Sequence, residues 1–112
     1  MKMVWAILRK EDEETTTHAL NDNGFVVTKL ATTGAFLRKK NVTLLIGTED
    51  EKVEKVIELL RSHAGKRSKV IYAPPSVAPG LVYAGANSMV PINETIGGAT
   101  VFVMDVDRYC KI

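Results

Sequence analysis

Apolar residues fall along this chain in two periods, and the places where the period changes mark its elements. Met3 to Leu8 form a short apolar run, too brief for a helix and rich in strand formers, which predicts a first strand. Glu11, Asp12, Glu13 and Glu14 follow at once. Carboxylates favour the positive end of the helix dipole, so a helix is expected to start there. It is expected to end near Asn23-Gly24, because Gly readily takes the left-handed conformation after a helix. Its apolar face is thin, with Ala19 and Leu20 as the main members. Phe25 to Leu30 reads as a second strand and Val42 to Ile46 as a third. Thr48 and Glu51 have capping-box spacing, which predicts a second helix beginning there. Val53, Val56, Ile57, Leu60 and Ala64 then recur at three-and-four spacing, and Gly65 marks the end. A short strand-like run covers 68 to 72. From 73 to 98 the chain is rich in Pro, Gly, Ala, Ser and Asn; a structureless loop of that length is unusual, and Leu81-Val82-Tyr83 with Met89-Val90 offers a hairpin instead. Thr100 to Met104 is the last strong strand.

Strand, helix, strand, loop, strand, helix, excursion, strand is the order of two strand-helix-strand units joined antiparallel. It predicts an α+β fold, a ferredoxin-like βαββαβ sandwich with both helices on one face of the sheet. The first and third strands are apolar on both sides, so the uncovered face needs a partner as well. Self-association is the expected solution.

At 112 residues the chain fits one domain, 1–112. No window approaches the roughly 18 uncharged apolar residues of a membrane span, and the apolar start is too short for a signal peptide. Cys110 is the sole cysteine, which excludes an intrachain disulfide and a multi-cysteine metal site and agrees with a cytoplasmic location. A net charge of +2 is too small for general affinity towards nucleic-acid polymers. His18 and His63 lie far apart in the sequence, so no metal is expected. No cofactor is expected either, and no paired acid and base or activated nucleophile can be assembled, so the expected function is not enzymatic.

The chemistry concentrates between 27 and 41. There a strand runs into a loop with threonine hydroxyls at 28, 32 and 33, Gly34, the aromatic Phe36, the cations Arg38, Lys39 and Lys40, and the carboxamide of Asn41. An aromatic face stacks on a base, a carboxamide pairs with an adenine edge, and backbone N–H groups meet phosphate, so the mixture suits a flat anionic ligand. The three cations read as a solvated loop face rather than a phosphate clamp.

Thr28-Lys29-Leu30-Ala31-Thr32-Thr33-Gly34, Phe36-Leu37-Arg38, Asn41 and Gly47, with the second block Gly97-Gly98-Ala99-Thr100-Val101-Phe102-Val103-Met104 and Val106-Asp107, resemble the cyclic-di-AMP receptor family of PII-like signalling proteins. The resemblance implies a homotrimer of ferredoxin-like subunits that bind cyclic-di-AMP in the clefts between neighbours. It implies a T-loop near 32 to 41 and a long B-loop near 73 to 97 that rearrange with ligand and signal to a downstream protein. It also implies that Thr28, Phe36, Leu37, Asn41 and Gly47 form much of one adenine pocket, with Gly97, Gly98 and Phe102 nearby and Val27 beside Thr28. The chain departs from the family pattern at Val26, where Arg is frequent, at Ala35 and Lys40, where Gly is usual, and in the tail Cys110-Lys111-Ile112. These departures leave a second reading, a PII-like regulator of another adenine nucleotide such as ATP or ADP.

Overall fold

The computed structural model describes residues 1–30, 40–73 and 89–112. Phe36, Leu37 and the rest of the expected loop before Lys40 lie outside these residues, as does the strand expected at 81 to 83. In chain order the described elements are β1 (Lys2–Arg9), α1 (Lys10–Asp22), β2 (Val27–Leu30), β3 (Asn41–Thr48), a 3-10 turn (Asp50–Lys52), α2 (Val53–Ala64), β4 (Arg67–Ala73), β5 (Val90–Ile96) and β6 (Ala99–Asp105). They form two compact units, one of Met1–Lys66 with Gly97–Ile112 and one of Arg67–Ile96.

In the first unit four strands pair in the order β2-β3-β1-β6, each antiparallel to its neighbour. This is the sheet that two antiparallel-joined βαβ units must make. One face carries the core. Val4, Ala6 and Leu8 of β1 and Val42, Leu44 and Ile46 of β3 meet Leu20 of α1, Phe25, and Val53, Val56, Leu60 and Ala64 of α2, all buried. The α2 face matches the spacing in the sequence. The α1 face does not rest on Ala19 and Leu20 alone: Asp12, Thr16 and Leu20, four residues apart, are its buried positions. Two of the three are polar, which is why hydrophobic periodicity traces this helix weakly.

Helix ends follow local chemistry. After α1, Gly24 has φ +85°, its N–H donates to the Asn21 carbonyl, and the Phe25 N–H donates to the Leu20 carbonyl. These are the two hydrogen bonds of a Schellman stop, and Phe25 buries its ring beside it. The expected capping box is not formed. Thr48 is the last residue of β3 and its side chain is buried, so it cannot turn to cap a helix. The chain instead enters through the 3-10 turn at Asp50–Lys52, with no side-chain cap, and α2 starts at Val53. Acidic Asp50 and Glu51 in that turn favour the helix start electrostatically.

The second unit is an antiparallel ribbon of β4 and β5. The excursion expected after residue 73 therefore contains a seven-residue strand, Val90–Ile96. Ile71 stands opposite Ile92, and Lys69 opposite Glu94, cross-strand pairs that favour this register.

Candidate functional site

Alternation along β1 turns Met3, Trp5, Ile7 and Arg9 away from the helices, and along β3 it turns Asn41, Thr43, Leu45 and Gly47 the same way. Register then lines up rows across this second face. Thr28, Leu45, Trp5 and Phe102 form one row, Leu30, Thr43, Ile7 and Thr100 the next, and Arg9 with Asn41 closes the end. Gly47, Met3 and Met104 lie on the other side of the Trp5 row. Among the described residues, no helix of the first unit packs on this face. Phe102 is 54% exposed and Met104 44%, while Trp5 is half-buried with its Nε1–H shielded and, among the described residues, without a hydrogen-bond partner.

Four of the expected site residues, Thr28, Asn41, Gly47 and Phe102, share this face. The structure does not gather them at one point. Asn41 and Gly47 stand at opposite ends of β3, six residues or about 20 Å apart. Thr28 and Phe102 share a row but sit on the two edge strands, three strand spacings or about 14 Å apart. Val27 is set apart from them, its side chain on the helix face and packed against the core. Gly97 and Gly98 form the bend entering β6, with φ +74° and +109°, a region that L side chains rarely adopt. The Gly98 N–H donates to the Ala64 carbonyl at 2.9 Å, so the end of α2 fixes this bend.

One residue joins Asn41 to the glycine bend. Arg9, the last residue of β1, donates from Nη1 to Asn41 Oδ1 at 3.2 Å, and its Nε lies 3.5 Å from the Gly97 carbonyl. The Lys10 N–H donates to the Lys40 carbonyl at 3.0 Å beside it. Arg9 is not among the residues expected in the site. The signal was present in the alternation Met3, Trp5, Ile7, Arg9, which places a cation at the end of an otherwise apolar stripe.

At the opposite end of the sheet a cleft of about 390 Å³ opens beside Gly47 and Val26, lined also by Phe25, Thr48, Lys52 and Lys55. Val26 is 78% exposed. The Met1 ammonium group sits 3.0 Å from an Asp50 carboxylate oxygen, which holds the Asp50 carboxyl below its usual range and the amino group above its own. On β1 the Asp105 carboxylate bonds Lys2 and raises its pKa in the same way. Among the described residues no three His, Cys, Asp or Glu side chains gather as around a metal ion. No described helix is long and apolar enough to cross a membrane.

A four-stranded antiparallel sheet with both helices on one face and a long segment between α2 and β6 is the PII-like form of the ferredoxin-like fold. A crystal structure of a functionally unknown protein from Pediococcus pentosaceus has the same architecture, with a TM-score of 0.76, 32% sequence identity, and coverage of 99% of this chain and 96% of that one. The family model described as cyclic-di-AMP receptor matches residues 1–112. The chain belongs to the cyclic-di-AMP receptor family of PII-like signalling proteins.

Proposed function

We propose that this protein is a cytoplasmic signal-transduction protein that binds cyclic-di-AMP in the clefts between the subunits of a homotrimer, and that it catalyses no reaction. The observation that carries the reading is the family match through the whole chain, which also supports treating residues 1–112 as one domain. The geometry of the sheet agrees with it. Thr28, Asn41, Gly47 and Phe102 are spread over a face that no described helix covers, and Asn41 lies about 20 Å from Gly47 and Thr28 about 14 Å from Phe102, more than one base can bridge. A second copy laid against this face closes clefts between such residues and buries Phe102 and Met104. Phe36 and Leu37 complete the adenine pocket from the T-loop, and Val27 supports it from beneath.

Gly47, Gly97 and Gly98 let a nucleotide approach main chain that a β-carbon would block. Ligand that favours one arrangement of the T-loop and B-loop passes its presence to a downstream protein. A second reading, a regulator of ATP or ADP with the same trimer, is favoured by Val26. An exposed apolar side chain stands there, beside the cleft at Gly47, where the family pattern has a cation.

Titration calorimetry with cyclic-di-AMP, ATP and ADP separates the two. Heat with the cyclic dinucleotide alone supports the first reading; heat with a mononucleotide in preference supports the second. Absence of heat with all three at high protein concentration defeats both. Asn41→Ala is expected to weaken binding at least tenfold, roughly the loss of one good hydrogen bond, and to leave the assembly intact. Unchanged affinity in that variant removes Asn41 from the site.

A further inference from the structure

We infer that Arg9 is a positioning residue that locks the side-chain amide of Asn41 in one orientation and holds the Gly97 carbonyl beside it. The inference rests on the reading of Asn41 as a nucleotide contact. Its physical basis is the donor inventory of the two groups. A guanidinium has only N–H donors, whereas a carboxamide has a donor arm and an acceptor arm that exchange places when it flips. Arg9 Nη1 at 3.2 Å therefore accepts only the orientation in which Oδ1 faces it, which turns the Nδ2 donors away from the guanidinium. A flipped Asn41 would set N–H groups against N–H groups.

The same guanidinium has Nε 3.5 Å from the Gly97 carbonyl, so one planar fork spans β3 and the bend before β6. That bend is held from its other side by the Gly98 N–H on the Ala64 carbonyl. Asn41 and Gly97 come from distant parts of the chain and share no bond of their own in this arrangement. Arg9 supplies the link, and both residues are half-buried with it at the end of the sheet. A carboxamide fixed in this way meets a base edge without first losing the freedom to flip, and pre-organisation of this kind raises affinity.

A thermodynamic cycle in the full chain tests the idea, with cyclic-di-AMP as the probe. Arg9→Ala is expected to bind about tenfold more weakly than wild type, as for loss of a charge-assisted hydrogen bond. In an Asn41→Ala background the same change is expected to matter little, the two Asn41→Ala proteins agreeing within about threefold. Arg9→Lys keeps a donor-only partner and is expected to recover most of the loss. An equal loss in both backgrounds overturns the inference, because Arg9 then acts on the ligand by a route other than Asn41. Unchanged affinity of Arg9→Ala overturns it as well.

The Asn41 side-chain amide resonances of the ligand-free protein give a readout that needs no nucleotide. They are expected to shift in Arg9→Ala and to stay near the wild-type position in Arg9→Lys, and identical spectra for all three proteins overturn the inference. Failure of wild-type protein to bind cyclic-di-AMP would count against the proposed function, and these resonances would still decide whether Arg9 orients Asn41.

Discussion

Gly65 is the position where a single methyl group tests the packing most directly. It follows α2 with φ −67° and ψ 158°, a conformation that any residue can adopt, so conformational freedom does not explain the glycine. Space does. A β-carbon built there lies 2.4 Å from the Arg61 carbonyl oxygen, well inside the 3.0 Å below which real contacts essentially never fall, so the backbone must open by more than about 0.6 Å. The obstacle is main chain within the last helical turn and cannot swing aside as a side-chain end would. Over-packing of this kind costs about 1–3 kcal/mol. Against it stands about 0.4–1 kcal/mol gained because Ala has less freedom than Gly in the unfolded chain. The steric term wins in most of that range, and Gly65→Ala is expected to lose about 1–2 kcal/mol net. For a domain near this size that lowers Tm by roughly 4–10 °C. Thermal melts followed by circular dichroism at matched protein concentration measure it. The Gly98 amide, held by the adjoining Ala64 carbonyl, should exchange hydrogen faster in the same variant. A Tm equal to or above wild type would rule out the clash, since the entropic gain would then have met no opposing contact.

Gly98→Ala should also destabilise, but for the opposite reason: no described atom lies within 4 Å of its β-carbon, while φ +109° costs an L residue on the order of 1–2 kcal/mol, which a melt compared with Gly65→Ala will record. Leu60→Ala removes a side chain that is 1% exposed in the helix-sheet core and should cost about 2–5 kcal/mol in urea unfolding; a loss below 1 kcal/mol would mean that the core closes around the gap. Phe102→Glu places a charge on the uncovered sheet face and is expected to dissociate the proposed homotrimer, as read by sedimentation, whereas an unchanged mass would exclude this patch from the interface. Asp50→Asn should show a pH-dependent effect. The Asp50 carboxyl is depressed by its bond to the Met1 ammonium, so its contribution is full above 3.8 and lost as pH falls through the lowered value. The amino group is raised by the same bond, so its contribution is full below 8.0 and lost as pH rises through the raised value. The Tm difference between wild type and variant should thus be flat between these limits, shrink on both flanks and fade with salt, and a constant difference down to about pH 2 would remove the pair as its cause.

Elements whose cause is local are legible in the order of residues alone. The spacing of Val53, Val56, Ile57, Leu60 and Ala64 fixed a helix face, the acidic run after β1 fixed a helix start, and Asn23-Gly24 fixed its stop, because hydrogen-bond pattern, dipole and φ preference act within one turn of chain. The loop chemistry around Thr28 and Asn41, with the block from Gly97 to Met104, was enough to carry the family. Tertiary structure decided the rest. Thr48 has capping-box spacing, yet two more residues of strand pairing turn it into the core, and no local rule registers that competition. Val90–Ile96 is a strand because β4 lies beside it, and a partner some twenty residues away leaves no mark on local periodicity. Asn41 and Gly97 are linked through Arg9 because β1 pairs with both β3 and β6, a juxtaposition that sequence separation conceals and register creates.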